Sequence, residues 1–446
     1  MISIIKRHIP ALMACCLLGL IFAGSAAGKE SNVLDKIDVA PVWAGHNVGF
    51  ALLTYGEDQF VAFYDKDRQM TLAQRKLSEH KWKFAKLPEK VGWDSHNYIT
   101  MTIDHDGYLH VSGNMHVLPL VYFRSRKPLD ITTMERVKHM TGSQEDRTTY
   151  PTFFQGPDDE LIFTYRDGES GSGNQIYNVY DLKTQTWHRL LNTPLIDGEG
   201  KSNAYIDGPV VGPDGWYHMC WVWRDTFNCE TNHDPSYAKS PDMVHWYTAA
   251  GKPLDLPITY KTAEIVDPIP MRDGLINMNI KMGFDSQKRP IITYHKFDKD
   301  GNTQAYNARF EDGMWKIYQI TNWKYRWWFE GGGSITADIK ISEAKPGGPG
   351  RLLQTYNHKK YGSRKLVLDE ATMEIVSNTK IPTVIEQKPE GTFPGLAVRT
   401  RDDIGKSPEA GIRYMLDWET LGTNRDQPRE GELPPPSMLR VYKLKM

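Results

Sequence analysis

The sequence predicts an all-β protein, and two patterns in its 446 residues indicate this. Long windows with apolar residues at helical spacing do not occur, whereas short runs rich in Val, Ile, Tyr, Phe and Trp recur between clusters of Gly, Asp, Asn and Pro. Four turn-forming clusters lead directly into such runs, at residues 104–107, 156–159, 212–215 and 285–288. Each cluster predicts a tight turn followed by a strand.

Tryptophans mark the ends of further predicted strands, and their spacing indicates a repeat. The four landmarks are Trp82, Trp187, Trp246 and Trp315. A four-stranded repeat takes about 40–60 residues, so the chain after residue 27 has room for about seven of them. We therefore predict a single seven-bladed β-propeller over residues 28–446, in which radial repetition protects the sheet edges.

Two shorter segments agree with this prediction. Residues 240–246 fit the Ser-x-Asp-x-x-x-Trp pattern of an Asp box, a structural turn that occurs in propellers of different function. Residues 438–444 form a strand-like run at the C-terminus. We expect this run to pair with the N-terminal strands and close the ring.

The N-terminal segment, residues 1–27, is predicted to be a secretory signal peptide. Two basic residues precede an apolar stretch over residues 11–24, and three small residues follow at the cleavage position. The stretch is shorter than the ~20 residues of a membrane span, and no other run approaches that length. We expect a secreted or periplasmic protein. Residues 12–15 resemble a lipoprotein cleavage box, but almost no apolar region precedes them, so a lipoprotein is less favoured.

The charge balance argues against nucleic acid as a general partner. The chain has 54 Lys and Arg against 55 Asp and Glu, a formal net charge of −1, whereas phosphate binding depends on clustered positive charge. A content of 40% hydrophobic and 24% charged residues is typical of a folded globular protein. We expect a monomer with neither a nucleic-acid partner nor a membrane span.

Polar residues that crowd into the early strands indicate a site, because propellers bind ligands on loops and strand ends near their axis. His96 precedes a predicted strand, His116 ends it, and Tyr150 follows in the next one. Arg166 lies at a strand end before a glycine-rich turn, where its guanidinium could hold a carboxylate in two parallel hydrogen bonds. The alternative is that the histidines are structural and that Arg166 and Asp167 are surface charges.

These segments resemble the BNR-repeat propeller lyases, and most closely the ulvan lyases of polysaccharide lyase families twenty-four and twenty-five. The resemblance rests on the run from His96 to His116, on Thr149-Tyr150-Pro, on residues 165–173 and on Asp207-Gly-Pro. It implies a secreted seven-bladed propeller that cleaves an anionic, uronate-containing polysaccharide by β-elimination and leaves unsaturated uronyl ends. A sulfated, ulvan-type polymer is the favoured substrate.

The resemblance also implies roles for individual residues. Arg166 matches the arginine that neutralises the uronate carboxylate, and His96 and Tyr150 are interpreted as the proton-transfer pair, with His116 assisting. Which of the pair is the base stays open, although an adjacent Arg166 would favour the phenolate of Tyr150. The expected substrate contacts are Asn97, Tyr205, Arg224 and His295.

A second constellation of residues predicts a structural zinc ion, one per chain and without a catalytic role. Its donors are His218, Cys220, Cys229 and His233. Two thiolates and two imidazoles make a closed tetrahedral set, and the resemblance includes such a zinc. The alternative is a disulfide between the two cysteines, which an oxidising compartment would favour.

Two other functions compete with the lyase hypothesis. A sialidase-like glycoside hydrolase would share the propeller and the Asp box but would need an arginine cluster with a Tyr/Glu nucleophile pair, and the sequence has no Arg-Ile-Pro-type motif near its N-terminus. A non-catalytic glycan-binding propeller would leave the grouping of His96, His116 and Tyr150 without a task. The aromatic and basic segment 323–328 suits sugar rings with anionic groups, or packing between blades, and the glycines 331–333 beside it allow close approach of backbone to a ligand.

Overall fold

Seven antiparallel sheets account for nearly all regular structure in the computed structural model, which describes residues 32–381 and 388–446. Helical structure in these residues is limited to three short 3₁₀ turns, Ile131–Thr133, Cys229–Thr231 and Asn277–Asn279. The all-β prediction is therefore confirmed. The predicted signal peptide lies outside the described residues, and the described part holds no helix long and apolar enough to cross a membrane.

The first four sheets follow one another along the chain. Sheet 1 consists, in spatial order, of β2 (Ala51–Tyr55), β3 (Asp58–Tyr64), β4 (Gln69–Lys76) and β5 (Lys83–Lys90). Sheet 2 consists of β6 (Ile99–Ile103), β7 (Leu109–Gly113), β9 (Tyr122–Ser125) and β10 (Met134–Arg136). Sheet 3 consists of β8 (His116–Leu118), β11 (Thr148–Gln155), β12 (Leu161–Glu169), β13 (Ser172–Asp181) and β14 (Thr186–Arg189), with β15 (Ile196–Asp197) on β13. Sheet 4 consists of β16 (Asn203–Val211), β17 (Tyr217–Arg224), β18 (Asn232–Ser240), β19 (Trp246–Tyr247) and β20 (Pro253–Leu254), with β21 (Glu264–Ile265) on β18.

The last three sheets include one that joins the two ends of the described chain. Sheet 5 consists of β22 (Lys281–Phe284), β23 (Pro290–Phe297), β24 (Thr303–Glu311) and β25 (Met314–Gln319). Sheet 6 consists of β26 (Ile339–Ile341), β28 (Arg351–His358), β29 (Gly362–Asp369) and β30 (Ile375–Lys380), with β27 (Lys345–Pro346) on β28. Sheet 7 consists of β1 (Val33–Val42), β33 (Ser437–Lys445), β32 (Ile412–Leu421) and β31 (Leu396–Asp402).

Each of the four predicted turns joins two consecutive strands that pair in one sheet. In each turn a backbone N–H donates to the carbonyl three residues earlier, at distances of 3.0, 3.2, 2.9 and 3.0 Å in chain order. The Asp-box prediction is confirmed as a turn as well. The Asp242 carboxylate accepts hydrogen bonds from the backbone N–H groups of Val244 and His245, and the Trp246 ring that follows is buried.

The predicted pairing of the C-terminal run with the N-terminus is confirmed in sheet 7. Strand β33 lies between β1 and β32, with Val441 opposite Ile37 on one side and opposite Leu416 on the other. Leu439 and Val441 are fully buried in the largest apolar cluster, which also contains Phe60 and Trp418. The last strand is therefore a central strand of its sheet, and its apolar side chains belong to the core.

We predict that Leu439→Ala lowers the free energy of unfolding by about 2–5 kcal/mol, because it removes a buried side chain from this core. Urea denaturation followed by tryptophan fluorescence measures the change. Val376→Ala on β30 is the matched control, because Val376 is 54% exposed and its truncation should change stability by less than about 0.5 kcal/mol. Equal, small effects of both variants would contradict a core role for β33.

Candidate active site

Two adjoining cavities lie where loops and strand ends of several sheets meet. The first has a volume of about 830 Å³, and the second has a volume of about 520 Å³. His96, Tyr150 and Tyr205 line both cavities, so the two meet at these side chains. Arg224 lines the first cavity and Arg166 lines the second.

Asp94 holds the two histidines of the site together. Its Oδ1 atom accepts a hydrogen bond from the His96 backbone N–H and lies 2.7 Å from His96 Nδ1. Its Oδ2 atom lies 2.5 Å from His116 Nδ1, and the two imidazole rings are 4.3 Å apart between centroids. Both Nδ1 atoms are thereby engaged, and neither Nε2 atom has a hydrogen-bond partner in the described part of the chain.

Asp426 is a second carboxylate partner of His96. Its Oδ2 atom lies 3.2 Å from His96 Nδ1 and accepts a hydrogen bond from the Ser334 backbone N–H, while its Oδ1 atom accepts from Ser95. Burial lowers the pKa of His96, but the Asp426 and Asp94 carboxylates outweigh it and raise that pKa to about 9. The same contacts hold the pKa of Asp426 at about 2, so at neutral pH His96 is an imidazolium bound to carboxylates.

Two buried arginines converge on the Tyr205 hydroxyl. This oxygen accepts hydrogen bonds from Arg166 Nη1 at 3.3 Å and Arg224 Nη1 at 3.2 Å, and it lies 2.7 Å from Ser170 Oγ. Arg166 is 2% exposed and Arg224 is 8% exposed. Among the residues that the structure describes, no carboxylate forms an ion pair with either guanidinium, and Arg166 Nη2 is buried without a hydrogen-bond partner.

The guanidinium groups determine which tyrosine is the more acidic one. Burial raises the pKa of Tyr205, but Arg166 and Arg224 outweigh it and lower that pKa overall. For Tyr150, burial and the neighbouring Tyr205 dominate and raise the pKa, although the Arg166 guanidinium lies only 5.0 Å from its ring centroid. The Arg166 charge lowers the pKa of Tyr150, as expected, but burial outweighs it, so Tyr150 keeps its proton.

Tyr150 itself occupies a strained position between the two halves of the site. Its φ angle is +57°, at an irregularity of β11 where the pairing with β12 shifts. The ring lies 5.8 Å from that of His96, 6.2 Å from that of His116 and 6.0 Å from that of Tyr205, between centroids. The strand irregularity thus directs the phenol into the junction of the two cavities.

Six of the eight predicted catalytic and substrate-contact residues line the two cavities, and two do not. Asn97 has a buried side chain that lines neither cavity, and its backbone carbonyl accepts a hydrogen bond from the Tyr64 hydroxyl. His295 is fully buried and packs against Trp327 at 5.3 Å between ring centroids. Burial lowers the pKa of His295 to about 3. Strand alternation directs this imidazole into the interior, and it lines neither cavity.

The four predicted zinc donors do not fit a tetrahedral zinc site, because the structure does not bring them together. The ring nitrogens of His218 contact Tyr237 and Asp214, and those of His233 contact Asp234 and Asp225. Both cysteines are free, so the alternative disulfide is not formed either. Within the described ranges, the one group of potential ligands within 4.8 Å of one another is formed by Asp94, His96 and His116.

The geometry of β17 explains why the zinc donors stay apart. Each strand residue advances about 3.3 Å, so the chain has moved roughly 13 Å from Cys220 by the end of β17 at Arg224. Cys229 then belongs to a different apolar cluster from Cys220, and burial raises the pKa of both thiols. No step of the proposed reaction depends on zinc.

Sequence reasoning did not identify the two carboxylates that contact His96. Asp94 precedes His96 by two residues and accepts its backbone N–H, so a local Asp-turn pattern could have identified it. Asp426 lies 331 positions after its hydrogen-bond partner Ser95, in the connection between β32 and β33. No local pattern connects such distant residues.

We predict that Asp426→Asn lowers the pKa of His96 by about 1–2 units, because it removes one of two adjacent negative charges. An NMR titration of the histidine ring signals measures this pKa, with the His96 signal assigned from a His96→Gln variant. Asp67→Asn, at an exposed position, is the control and should leave the titration unchanged. An unaltered His96 pKa in Asp426→Asn would contradict the proposed charge pairing.

The sequence is similar to proteins of known activity over part of its length. It is 27% identical to the short isoform of ulvan lyase from Alteromonas sp. (strain LOR) over 133 residues, 27% of this chain and 25% of that protein. It is 26% identical to the long isoform of ulvan lyase from Pseudoalteromonas sp. (strain PLSV) over 133 residues, 27% of this chain and 13% of that protein. The matches therefore span a quarter or less of these relatives.

Solved structures extend the likeness to most of the chain. The crystal structure of polysaccharide lyase Uly1 has a TM-score of 0.64 at 14% identity and covers 93% of this chain and 99% of its own. A PL25 ulvan lyase has a TM-score of 0.60 at 12% identity, with 92% and 96% covered. At these identities the likeness establishes a shared fold. The BNR repeat-containing family matches residues 58–323, more than half of the sequence, and the chain belongs to this family.

Proposed function

We propose that this protein is a polysaccharide lyase that cleaves a uronate-containing polysaccharide by β-elimination. The observation that carries the proposal is the pair of buried guanidiniums without a carboxylate partner among the described residues, one with an unsatisfied Nη2. A buried cation and a buried unpaired N–H group are both costly, so such a site favours an anionic ligand. A uronate carboxylate supplies the charge and two acceptor oxygens.

β-Elimination requires that the uronate carboxylate be neutralised before its neighbouring C5–H bond can be broken. Arg166 would bind the carboxylate through its free Nη2 group and thereby stabilise the negative charge that develops in the transition state. Arg224 places a second fixed positive charge beside the hydroxyl oxygen of Tyr205. The two guanidiniums match one carboxylate and one phenolate, so the loaded site is electrically balanced.

We assign the base to Tyr205, supported by its lowered pKa and its place at the junction of the cavities. Its phenolate oxygen takes the C5 proton, and the C–H electron pair forms the C4–C5 double bond. The bond from C4 to the glycosidic oxygen breaks, and that oxygen keeps the electron pair. The products are an unsaturated uronyl end and a new hydroxyl end.

His96 is the best-supported proton donor to the leaving glycosidic oxygen. Its raised pKa keeps it protonated at neutral pH, and its Nε2 atom points away from both carboxylates that hold Nδ1. Tyr150 also retains its proton, because its pKa is raised, and can donate a hydrogen bond to the same oxygen. His116 assists through Asp94, which it shares with His96. The sequence predicted His96 and Tyr150 as an acid and a base. In this proposal both act as donors instead.

The proposed scaffold is a single seven-bladed β-propeller over residues 28–446. Seven antiparallel sheets, the pairing of β1 with β33 and the likeness to lyase structures support it. Secretion with cleavage of residues 1–27 agrees with a substrate that is a large polymer outside the cell. We take the substrate to be ulvan-type, because the similar sequences are ulvan lyases and a related PL25 structure is bound to -[GlcA(1-4)Rha3S]-.

The two carboxylates that contact His96 do not suit a glycoside hydrolase. Hydrolysis generally uses one free carboxylate as nucleophile or base and a second carboxylic acid as proton donor. Asp94 and Asp426 are both engaged by His96, and their pKa values lie below the usual range. Neither is therefore suited to donate a proton at neutral pH.

We predict that Arg166→Ala lowers the rate of ultraviolet absorbance increase on ulvan at least about 100-fold, because the carboxylate loses its neutralising partner. The absorbance reports the C4–C5 double bond, which hydrolysis does not form. Arg166→Lys should restore little, because an ammonium cannot reproduce the planar donor pair. Arg126→Ala, an exposed arginine, is the control. New reducing ends without absorbance would contradict a lyase.

We predict that kcat/KM of the wild type falls as pH rises through about 9, because His96 then loses the proton that it donates. It should also fall at low pH, because Tyr205 must be a phenolate. Tyr205→Phe should lose activity about 100-fold or more, whereas Tyr150→Phe should keep the acidic limb of the profile. An active Tyr205→Phe variant with a normal acidic limb would refute Tyr205 as the base.

A further inference from the structure

We infer that the edge of the first cavity formed by Phe227, Arg425 and residues 330–333 binds the sulfated sugar next to the cleaved uronate. We call this edge the rim subsite. The inference rests on the proposed function, because it names a neighbouring subsite of the same polymer. The three parts come from distant points of the chain, in the connection after β17, the connection between β25 and β26, and the connection between β32 and β33.

Phe227 presents an open aromatic surface at this edge. The side chain is 62% exposed, although it lines the cavity. The ring lies so close to Gly332 that a Cβ atom there would overlap it, so only glycine allows this contact. The Phe227 carbonyl accepts a hydrogen bond from Arg224 Nη2. The arginine that contacts Tyr205 therefore also holds the backbone of Phe227.

Arg425 places a cation at the same edge. Its Nη1 group donates to the Glu330 carbonyl at 3.1 Å and to the Gly332 carbonyl at 3.0 Å. The side chain is exposed, and it forms no ion pair with a carboxylate in residues 32–381 and 388–446. Its Nε and Nη2 groups are therefore available to an anion. The next residue, Asp426, contacts His96, so the cation lies one residue from a carboxylate that contacts the proposed proton donor.

The exposed tryptophan nearby does not offer a comparable surface. Trp328 stacks with Phe297 at 6.4 Å, and the guanidiniums of Arg272 and Arg326 lie 5.1 and 5.6 Å from its ring centroid. Its indole N–H donates to Glu330. The rest of segment 323–328 mainly packs inside the protein, with Trp323 and Trp327 buried. Phe227 is therefore the open aromatic platform on this side of the cavity.

An open ring beside a fixed cation recognises a sugar that has both an apolar face and an anionic group. A sulfated 6-deoxy sugar has these features, because its methyl group and ring C–H bonds can stack on an aromatic ring while the sulfate meets a guanidinium. The repeating unit bound in the related PL25 structure places such a sugar directly beside the uronate. The rim subsite and the Arg166 site lie along connected cavities, which suits two neighbouring residues of one chain.

The test compares native ulvan with chemically desulfated ulvan, using affinity electrophoresis for binding and ultraviolet absorbance for turnover. Arg425→Gln should weaken binding and raise KM about 10-fold on native ulvan, and change both less than about 2-fold on the desulfated polymer. Phe227→Ala should weaken binding of both polymers about 10-fold, because stacking does not need sulfate.

Arg126→Gln and Phe84→Ala are the matched controls, because both positions are exposed and lie outside both cavities. Thermal unfolding confirms that each variant folds. If Arg425→Gln binds both polymers as the wild type does, the rim subsite is refuted, whether or not absorbance rises. If no absorbance rises on any uronate polymer while the sulfate-dependent binding loss persists, the lyase proposal fails and the rim subsite stands.

Discussion

The hydroxyl of Tyr205, held between two buried guanidinium groups, is the contact on which the rest of the site depends. Arg166 and Arg224 reach this oxygen from neighbouring sheets, and neither has a carboxylate partner among the described residues. A protein interior tolerates such charges only when something compensates them. One charge is compensated when the phenol ionises, and the second when an anion binds at Arg166 Nη2. The lowered pKa of the Tyr205 phenol and the affinity of the site for a carboxylate thus have the same physical cause, the two guanidinium charges.

The histidine half of the site has the opposite electrostatic arrangement. Here two carboxylates, Asp94 and Asp426, surround His96 and keep it protonated. Tyr150 separates this donor half from the arginine half and lines both cavities. The proposed proton acceptor, Tyr205, and the proposed proton donor, His96, therefore lie at one junction. Their charged partners lower the pKa of Tyr205 and raise the pKa of His96.

The scaffold explains why the two halves differ in how well the sequence predicts them. Arg166 and Tyr205 are strand residues, fixed by regular pairing, and Tyr150 and His116 belong to local motifs that the sequence displays directly. The turns, the strands after them and the pairing of β33 with β1 were also predictable, because alternation and turn chemistry are local signals. Asp426 was not, since its contact with His96 is made only when the last sheet is in place.

The failed expectations have equally specific causes. Histidine suits a sugar-binding position, but the side of the sheet that His295 faces depends on the register of its strand with the neighbouring strands. The zinc donors have suitable chemistry and spacing in the sequence, but β17 is extended and carries them apart. The sequence alone also does not show which neighbouring side chain responds most to a buried charge. Arg166 lies near both tyrosines and lowers the pKa of each, but the guanidiniums outweigh burial only at Tyr205, to which Arg166 donates a hydrogen bond.

The most direct test of this charge arrangement is to measure the pKa of Tyr205 in the intact protein, without and with a bound uronate oligosaccharide. NMR titration of ring-labelled tyrosine, with a Tyr205→Phe variant for assignment, gives both values. We predict a pKa below the ordinary phenol value of about 10 in the free protein, and a higher pKa once a carboxylate binds beside it. A Tyr205 that titrates above about 10 and does not respond to the oligosaccharide would contradict the account.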